Sequence, residues 1–129
     1  MTQYIGVDII EIVRIRRAVT RWGDRFLKRV FTESEIKLYR QKPASLAARF
    51  AGKEAVIKAL QKTSGICWKH IEILSETDGK PLLNLYGKAK KQAKNLGLDS
   101  LTITLSHSRD YAIAFVAGNA EPNPTPEAP

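Results

Sequence analysis

Apolar and polar positions along this chain fall into two rhythms, one suited to strands and one to helices. The strand rhythm marks Tyr4-Ile5-Gly6-Val7-Asp8-Ile9-Ile10, a short run rich in β-branched side chains. Ile71-Glu72-Ile73-Leu74 and Leu82-Leu83-Asn84-Leu85-Tyr86 flank Thr77-Asp78-Gly79-Lys80-Pro81, a strong turn signal, so this stretch reads as a hairpin. A second hairpin joins residues 101–106 to residues 111–116 through the polar turn His107-Ser108-Arg109-Asp110. The helix rhythm occupies residues 11–22, 32–40, 43–62 and 87–96. Thr32-Glu33-Ser34-Glu35 matches a capping box, Pro43 suits a first helical position, and Gly97 is a fitting stop for the last helix. The order strand, helices, hairpin, helix, hairpin predicts an α+β fold, a mostly antiparallel sheet packed against a long central helix.

A chain of 129 residues can build one core that buries roughly two-thirds of its unfolded surface, and is too short for two ordinary domains. Residues 1–118 are therefore expected to form a single domain. Four prolines within residues 121–129 remove amide donors, so residues 119–129 are expected to be a frayed, disordered tail. Hydrophobic residues at 43% against charged ones at 26% exclude a disordered or membrane class. No apolar run approaches the roughly 20 residues of a membrane helix, and the first residues lack a signal-peptide pattern, which points to the cytoplasm. The single cysteine, Cys67, excludes an internal disulfide framework. With 21 Lys plus Arg against 13 Asp plus Glu, the net charge of +8 favours polyanionic partners without choosing among them.

Four groups of residues carry candidate chemistry. Asp8 interrupts an otherwise apolar strand, where a carboxylate needs a cation or several donors to stay charged; it is either a cap for the following helix or a metal ligand. Glu54 and Lys58, four apart in Arg49-Phe50-Ala51-Gly52-Lys53-Glu54-Ala55-Val56-Ile57-Lys58, share a helical face. They form either a solvated ion pair worth about 0.3–0.5 kcal/mol or a functional carboxylate and ammonium. Ser106-His107-Ser108-Arg109 offers hydroxyls, an imidazole and a guanidinium at one turn, an inventory for gripping phosphate, or else simply a polar turn. Arg14, Arg17 and Arg21 lie along one helical stripe, which is a solvated face, a docking surface for an acidic partner, or a contact for nucleic-acid phosphates. No helix-turn-helix, zinc-finger or aromatic RNA-binding signature accompanies the stripe, so nucleic acid ranks second.

Taken together, Ile5-Gly6-Val7-Asp8, Phe31-Thr32-Glu33-Ser34-Glu35, the Arg49-to-Lys58 segment, Asp78-Gly79-Lys80-Pro81 and Ser106-His107-Ser108 closely resemble the holo-acyl-carrier-protein synthases. These form the small, stand-alone branch of the 4′-phosphopantetheinyl transferases, and the resemblance spans residues 4–117. It implies an α+β enzyme that moves the phosphopantetheine arm of coenzyme A to a serine of apo acyl carrier protein, releases adenosine 3′,5′-bisphosphate and requires Mg²⁺. It also implies a homotrimer with active sites between neighbouring subunits, and neither nucleic acid nor membrane as a partner. By the same resemblance Asp8 and Glu54 correspond to the metal carboxylates and Lys58 to the lysine beside the pyrophosphate. These three make up the catalytic set. Arg49, Lys58, Gly65 and the Ser106-His107-Ser108 turn correspond to contacts with coenzyme A. Carrier proteins are generally acidic, which gives Arg14, Arg17 and Arg21 an electrostatic counterpart. Three departures stand out: Gly52 where alanine is usual, Ser108 where threonine is frequent, and Gln61-Lys62-Thr63-Ser64-Gly65 in place of a more glycine-rich loop. A non-catalytic paralogue that only binds coenzyme A is the nearest rival, and intact Asp8, Glu54 and Lys58 speak against it.

Overall fold

Strand β1, Thr2–Glu11, opens the computed structural model, which describes residues 2–61 and 64–120. Of the expected tail, residues 119–129, Asn119 and Ala120 instead end the last strand by pairing with Gln3 and Thr2, while residues 121–129 lie outside the described residues, as do Lys62 and Thr63 of the loop after the central helix. Along β1 the pleat sends Gly6, Asp8 and Ile10 to one face and Ile5, Val7 and Ile9 to the other. Helix α1, Ile12–Trp22, turns Ile12 and Ile15 inward and its arginines outward. Gly23, at φ 55°, breaks the helix in a conformation that favours glycine, and α2, Asp24–Val30, follows at once. The helix rhythm of the sequence does not mark this second helix.

Helix α3, Glu33–Tyr39, starts on the expected capping box. Thr32 Oγ1 accepts from the Glu35 amide at 3.3 Å while Glu35 Oε1 accepts from the Thr32 amide at 2.8 Å. Helix α4, Pro43–Ala59, has Pro43 at its start but stops sooner than expected, because Gln61 adopts a left-handed φ of 59°. Strands β2, Ile71–Ser75, and β3, Pro81–Leu85, form the first hairpin. Helix α5, Gly87–Asn95, ends in a Schellman motif: Leu98 donates to Ala93 O at 2.9 Å and Gly97 to Lys94 O at 3.0 Å. Strands β4, Thr102–His107, and β5, Tyr111–Ala120, form the second hairpin.

The strands make two antiparallel sheets rather than one: β1-β5-β4 and β2-β3. Helix α4 packs against both and is buried nearly all round. Ala47, Ala51, Ala55 and Ala59 recur every fourth residue with no exposed surface, which lets the sheet approach the helix backbone closely. Gly6 marks the tightest approach, since a Cβ there would stand 1.8 Å from the Ala55 carbonyl oxygen. No described helix is long and apolar enough to cross a membrane.

Candidate active site

The close packing of β1 on α4 decides where Asp8 points. It lies on the helix-facing side of β1, three residues before the N-terminal boundary of α1, so it does not cap that helix; the boundary residue is Glu11. Asp8 instead meets Lys58: the ammonium donates to Asp8 Oδ1 at 2.9 Å and to the Val7 carbonyl at 3.1 Å. The Asp8 side chain is about one-fifth exposed and that of Lys58 over half. This pairing displaces the ion pair along the helix, because Lys58 reaches across to β1 while Glu54 turns to another partner. Glu54 Oε1 accepts from the indole Nε1 of Trp68 at 2.8 Å. Lys58 stands one turn beyond Glu54 on α4, and of the two carboxylates it bonds only Asp8.

Beside Glu54 an open groove is lined by Arg29, Ile57, Ile66, Cys67 and Trp68. Gly65, at the near end of the loop, takes φ 82° beside the Lys88 side chain. The Ser106-His107-Ser108 turn is exposed and lies elsewhere in the sheet. Ser108 closes the hairpin, its amide donating to Tyr111 O at 2.8 Å and its hydroxyl accepting from the Tyr111 amide at 3.2 Å. The register sets His107 opposite Ala112, and Asp8 opposite Ala114, so β5 separates the turn from Asp8. β1 and β4 are the two edges of this three-stranded sheet, with β5 between Asp8 and the turn.

Arg49 is placed differently from the open positions expected of a ligand contact. It is only 6% exposed, and its guanidinium donates to Ile73 O at 2.9 Å, Ser75 Oγ at 3.0 Å and Ser45 O at 3.3 Å, with the Tyr39 ring 3.6 Å away. Burial lowers its pKa, opposed chiefly by Tyr39. Its evident work is to tie α4 to β2.

Below this lies a buried polar network that the sequence reading missed. Lys53 and Glu35 have no exposed surface and form an ion pair at 2.7 Å. The Lys53 ammonium also donates to the carbonyls of Ile71 and Trp68, while Glu35 Oε2 accepts from the Ile73 amide at 2.9 Å. Burial pushes the Lys53 ammonium pKa down against the opposing pull of Glu35. Glu72 accepts from Thr32, Asn84 and Tyr86; burial pushes its carboxyl up, but those hydrogen bonds and the Lys53 charge hold it below its ordinary value. The signal for Glu35 was its place in the capping box; for Lys53, a helical lysine flanked by apolar residues, there was none. Arg14, Arg17 and Arg21 are all exposed along α1, as their spacing predicted, with the Arg21 guanidinium 4.9 Å from the Trp22 ring centre.

The family model of the 4′-phosphopantetheinyl transferase superfamily matches residues 4–116. A holo-[acyl-carrier-protein] synthase of Dehalococcoides mccartyi is 52% identical over 113 residues, covering 88% of this chain and 95% of the relative. One from Herpetosiphon aurantiacus is 49% identical over 121 residues, with the same two shares covered. The crystal structure of Helicobacter pylori holo-[acyl-carrier-protein] synthase in complex with coenzyme A superposes with a TM-score of 0.80 at 36% identity, covering 89% of this chain and 99% of that one.

Proposed function

The chain belongs to the 4′-phosphopantetheinyl transferase superfamily, and from that premise we propose that it works as a holo-acyl-carrier-protein synthase. It transfers 4′-phosphopantetheine from coenzyme A to a serine of apo acyl carrier protein and releases adenosine 3′,5′-bisphosphate. The observation that carries the site assignment is the meeting of Asp8 and Lys58 across β1 and α4, one turn from Glu54.

Asp8 and Glu54 are a donor set that fits Mg²⁺, which takes one or two carboxylates and completes its shell with phosphate oxygens and water. Among the described residues no group of three or more His, Cys, Asp or Glu could hold an ion, so a metal here leans on its substrate. Mg²⁺, when bound, supplies neutralisation of the diphosphate charge. Lys58 contributes a second positive charge on an exposed stem, anchored by Asp8, in reach of a diphosphate laid along α4. Its ammonium stabilises the negative charge that grows on the leaving phosphate oxygen as the serine attacks, the electrostatic work that dominates phosphoryl transfer. The groove beside Glu54 offers apolar walls in Ile57, Ile66 and Trp68 and one cation in Arg29.

Ser106, His107, Ser108 and Gly65 hold coenzyme A in this reading, with the turn contributed by a neighbouring copy. Two features support a homotrimer with intersubunit sites. The two halves of the site stand on opposite edges of one sheet. The outer face of that sheet carries Ile5, Val7, Ile9, Ile113 and Phe115, each at least 40% exposed, an apolar patch that an isolated soluble chain rarely presents. The exposed stripe Arg14, Arg17 and Arg21 docks the acidic carrier protein, and the free, exposed Cys67 fits a reducing cytoplasm. The deciding measurement is the intact mass of apo carrier protein after incubation with the chain, coenzyme A and Mg²⁺. A phosphopantetheine-sized gain is expected, and is lost in Asp8→Ala and Glu54→Ala. No gain with the wild-type chain overturns the enzyme, and an undiminished gain in either variant overturns the metal assignment.

A further inference from the structure

Two adjacent residues of α4 grip Trp68 from different sides. Lys53, itself fully buried and paired with Glu35, donates to the Trp68 carbonyl at 3.2 Å, and Glu54 accepts from the Trp68 indole at 2.8 Å. The indole also packs on Phe50, with ring centres 5.8 Å apart and planes 38° apart. Trp68 opens a short 3₁₀ turn, Trp68–His70, so its backbone is set by the turn as well as by the buried cation. Resting on the reading of Glu54 as a metal carboxylate, we infer that Trp68 is a positioning residue whose indole N–H fixes the Glu54 carboxylate for the ion.

The physical need is plain. Glutamate has several rotatable bonds, and a carboxylate ligand loses affinity with every rotamer that points away from the ion. The indole is a donor only, so its bond to Oε1 is available whatever the charge around it, and it leaves Oε2 with a defined direction. Partners of this kind, which orient a ligand without touching the metal, typically matter by about 10–100-fold in affinity or activity. Trp68 is well suited because its own position is tied to the core through Lys53 and Phe50.

The test uses the full chain with Mn²⁺ as probe metal and coenzyme A present, read by electron paramagnetic resonance, alongside the Mg²⁺ dependence of transfer. In Trp68→Phe, which keeps a ring against Phe50 and removes the N–H, Mn²⁺ affinity falls about tenfold and the Mg²⁺ requirement rises in step. The KM for carrier protein does not move. Phe50→Leu, which loosens the same packing and keeps the N–H, retains wild-type Mn²⁺ affinity. In a Glu54→Gln background Trp68→Phe adds nothing, as it must if it acts only through Glu54. Wild-type Mn²⁺ affinity in Trp68→Phe, an equal loss in Phe50→Leu, or full additivity with Glu54→Gln overturns the inference. Unchanged Mn²⁺ affinity in Glu54→Gln overturns instead the reading of Glu54 as a ligand. Should Trp68→Phe fail to fold, the Nε1–H resonance of Trp68 in the wild-type fold, identified with Trp22→Phe, decides: it moves on Glu54→Gln and on adding Mg²⁺ with coenzyme A, and a stationary resonance refutes the inference.

Discussion

At the scale of single residues, two glycines control how closely α4 can be approached. Gly6 lets β1 lie against the helix backbone, and with it sets the reach from Asp8 to Lys58. Because the obstacle is the Ala55 carbonyl rather than a side chain, Gly6→Ala forces strand and helix apart. It is expected to cost at least about 2 kcal/mol of stability by chemical denaturation, in the upper part of the overpacking range, and to depress transfer beyond what the unfolded fraction explains. Gly52 is a gentler case. A Cβ there would sit 2.5 Å from Ile73 Cδ1 and 3.2 Å from Ile103 Cδ1, both ends of core side chains. Ile73 thus fills the space that the alanine usual at this position would need. Alanine gains about 1 kcal/mol of helix propensity over glycine, and because the overlap is with the movable end of Ile73, the shift of that side chain offsets part of the gain. Adding Ile73→Val removes the blocking carbon, and the double variant is expected to melt above either single variant.

At the scale of elements, what was legible followed surface chemistry and what was hidden followed burial. The capping box, the two hairpins and the α5 stop were readable because each is local, carried by residues whose turn or cap chemistry acts on their own neighbours. Helix α2 escaped because Gly23 restarts a helix within one residue, and basic residues flank so few apolar ones that the segment resembles a loop. Nothing in the sequence marks Arg49, read as a coenzyme A contact, or Lys53, given no role, as buried, since only tertiary packing tells a buried helical cation from a solvated one. Two predictions belong here. Glu72 joins α3, β2 and β3 through Thr32, Asn84 and Tyr86, and its folded pKa lies below its ordinary 4.5. A depressed folded pKa adds stability that is present above the ordinary value and is lost as pH falls through the folded one. Glu72→Gln should therefore cost most stability at neutral pH, and the gap to wild type should narrow in denaturation curves taken well below pH 4.5. Along α1, reversing Arg14 and Arg21 to Glu leaves the buried Ile12 and Ile15 untouched. Steady-state kinetics should show a higher KM for carrier protein, an effect that shrinks with added salt, and an unchanged KM for coenzyme A.

At the scale of the whole molecule, a site shared between neighbouring copies, as proposed, predicts a behaviour that variants made one at a time cannot expose. Asp8 on β1 and His107 on β4 are separated by β5, while the apolar outer face gives neighbouring copies a reason to meet. If each active site takes Asp8 from one subunit and His107 from the next, Asp8→Ala and His107→Ala homotrimers are both weak. Co-refolded in equal amounts, however, they assemble mixed trimers in which about a quarter of sites contain both native residues. Activity should then rise to about that fraction of wild type, as measured by carrier-protein mass gain, while simple mixing of folded trimers gives no rise until subunits exchange. Phe115→Glu, which puts a charge into the apolar face without touching either half of the site, should yield a folded monomer by light scattering that transfers nothing. Recovery of activity in that monomer, or no gain on co-refolding, would place the whole reaction within one chain and leave the exposed face without a catalytic purpose.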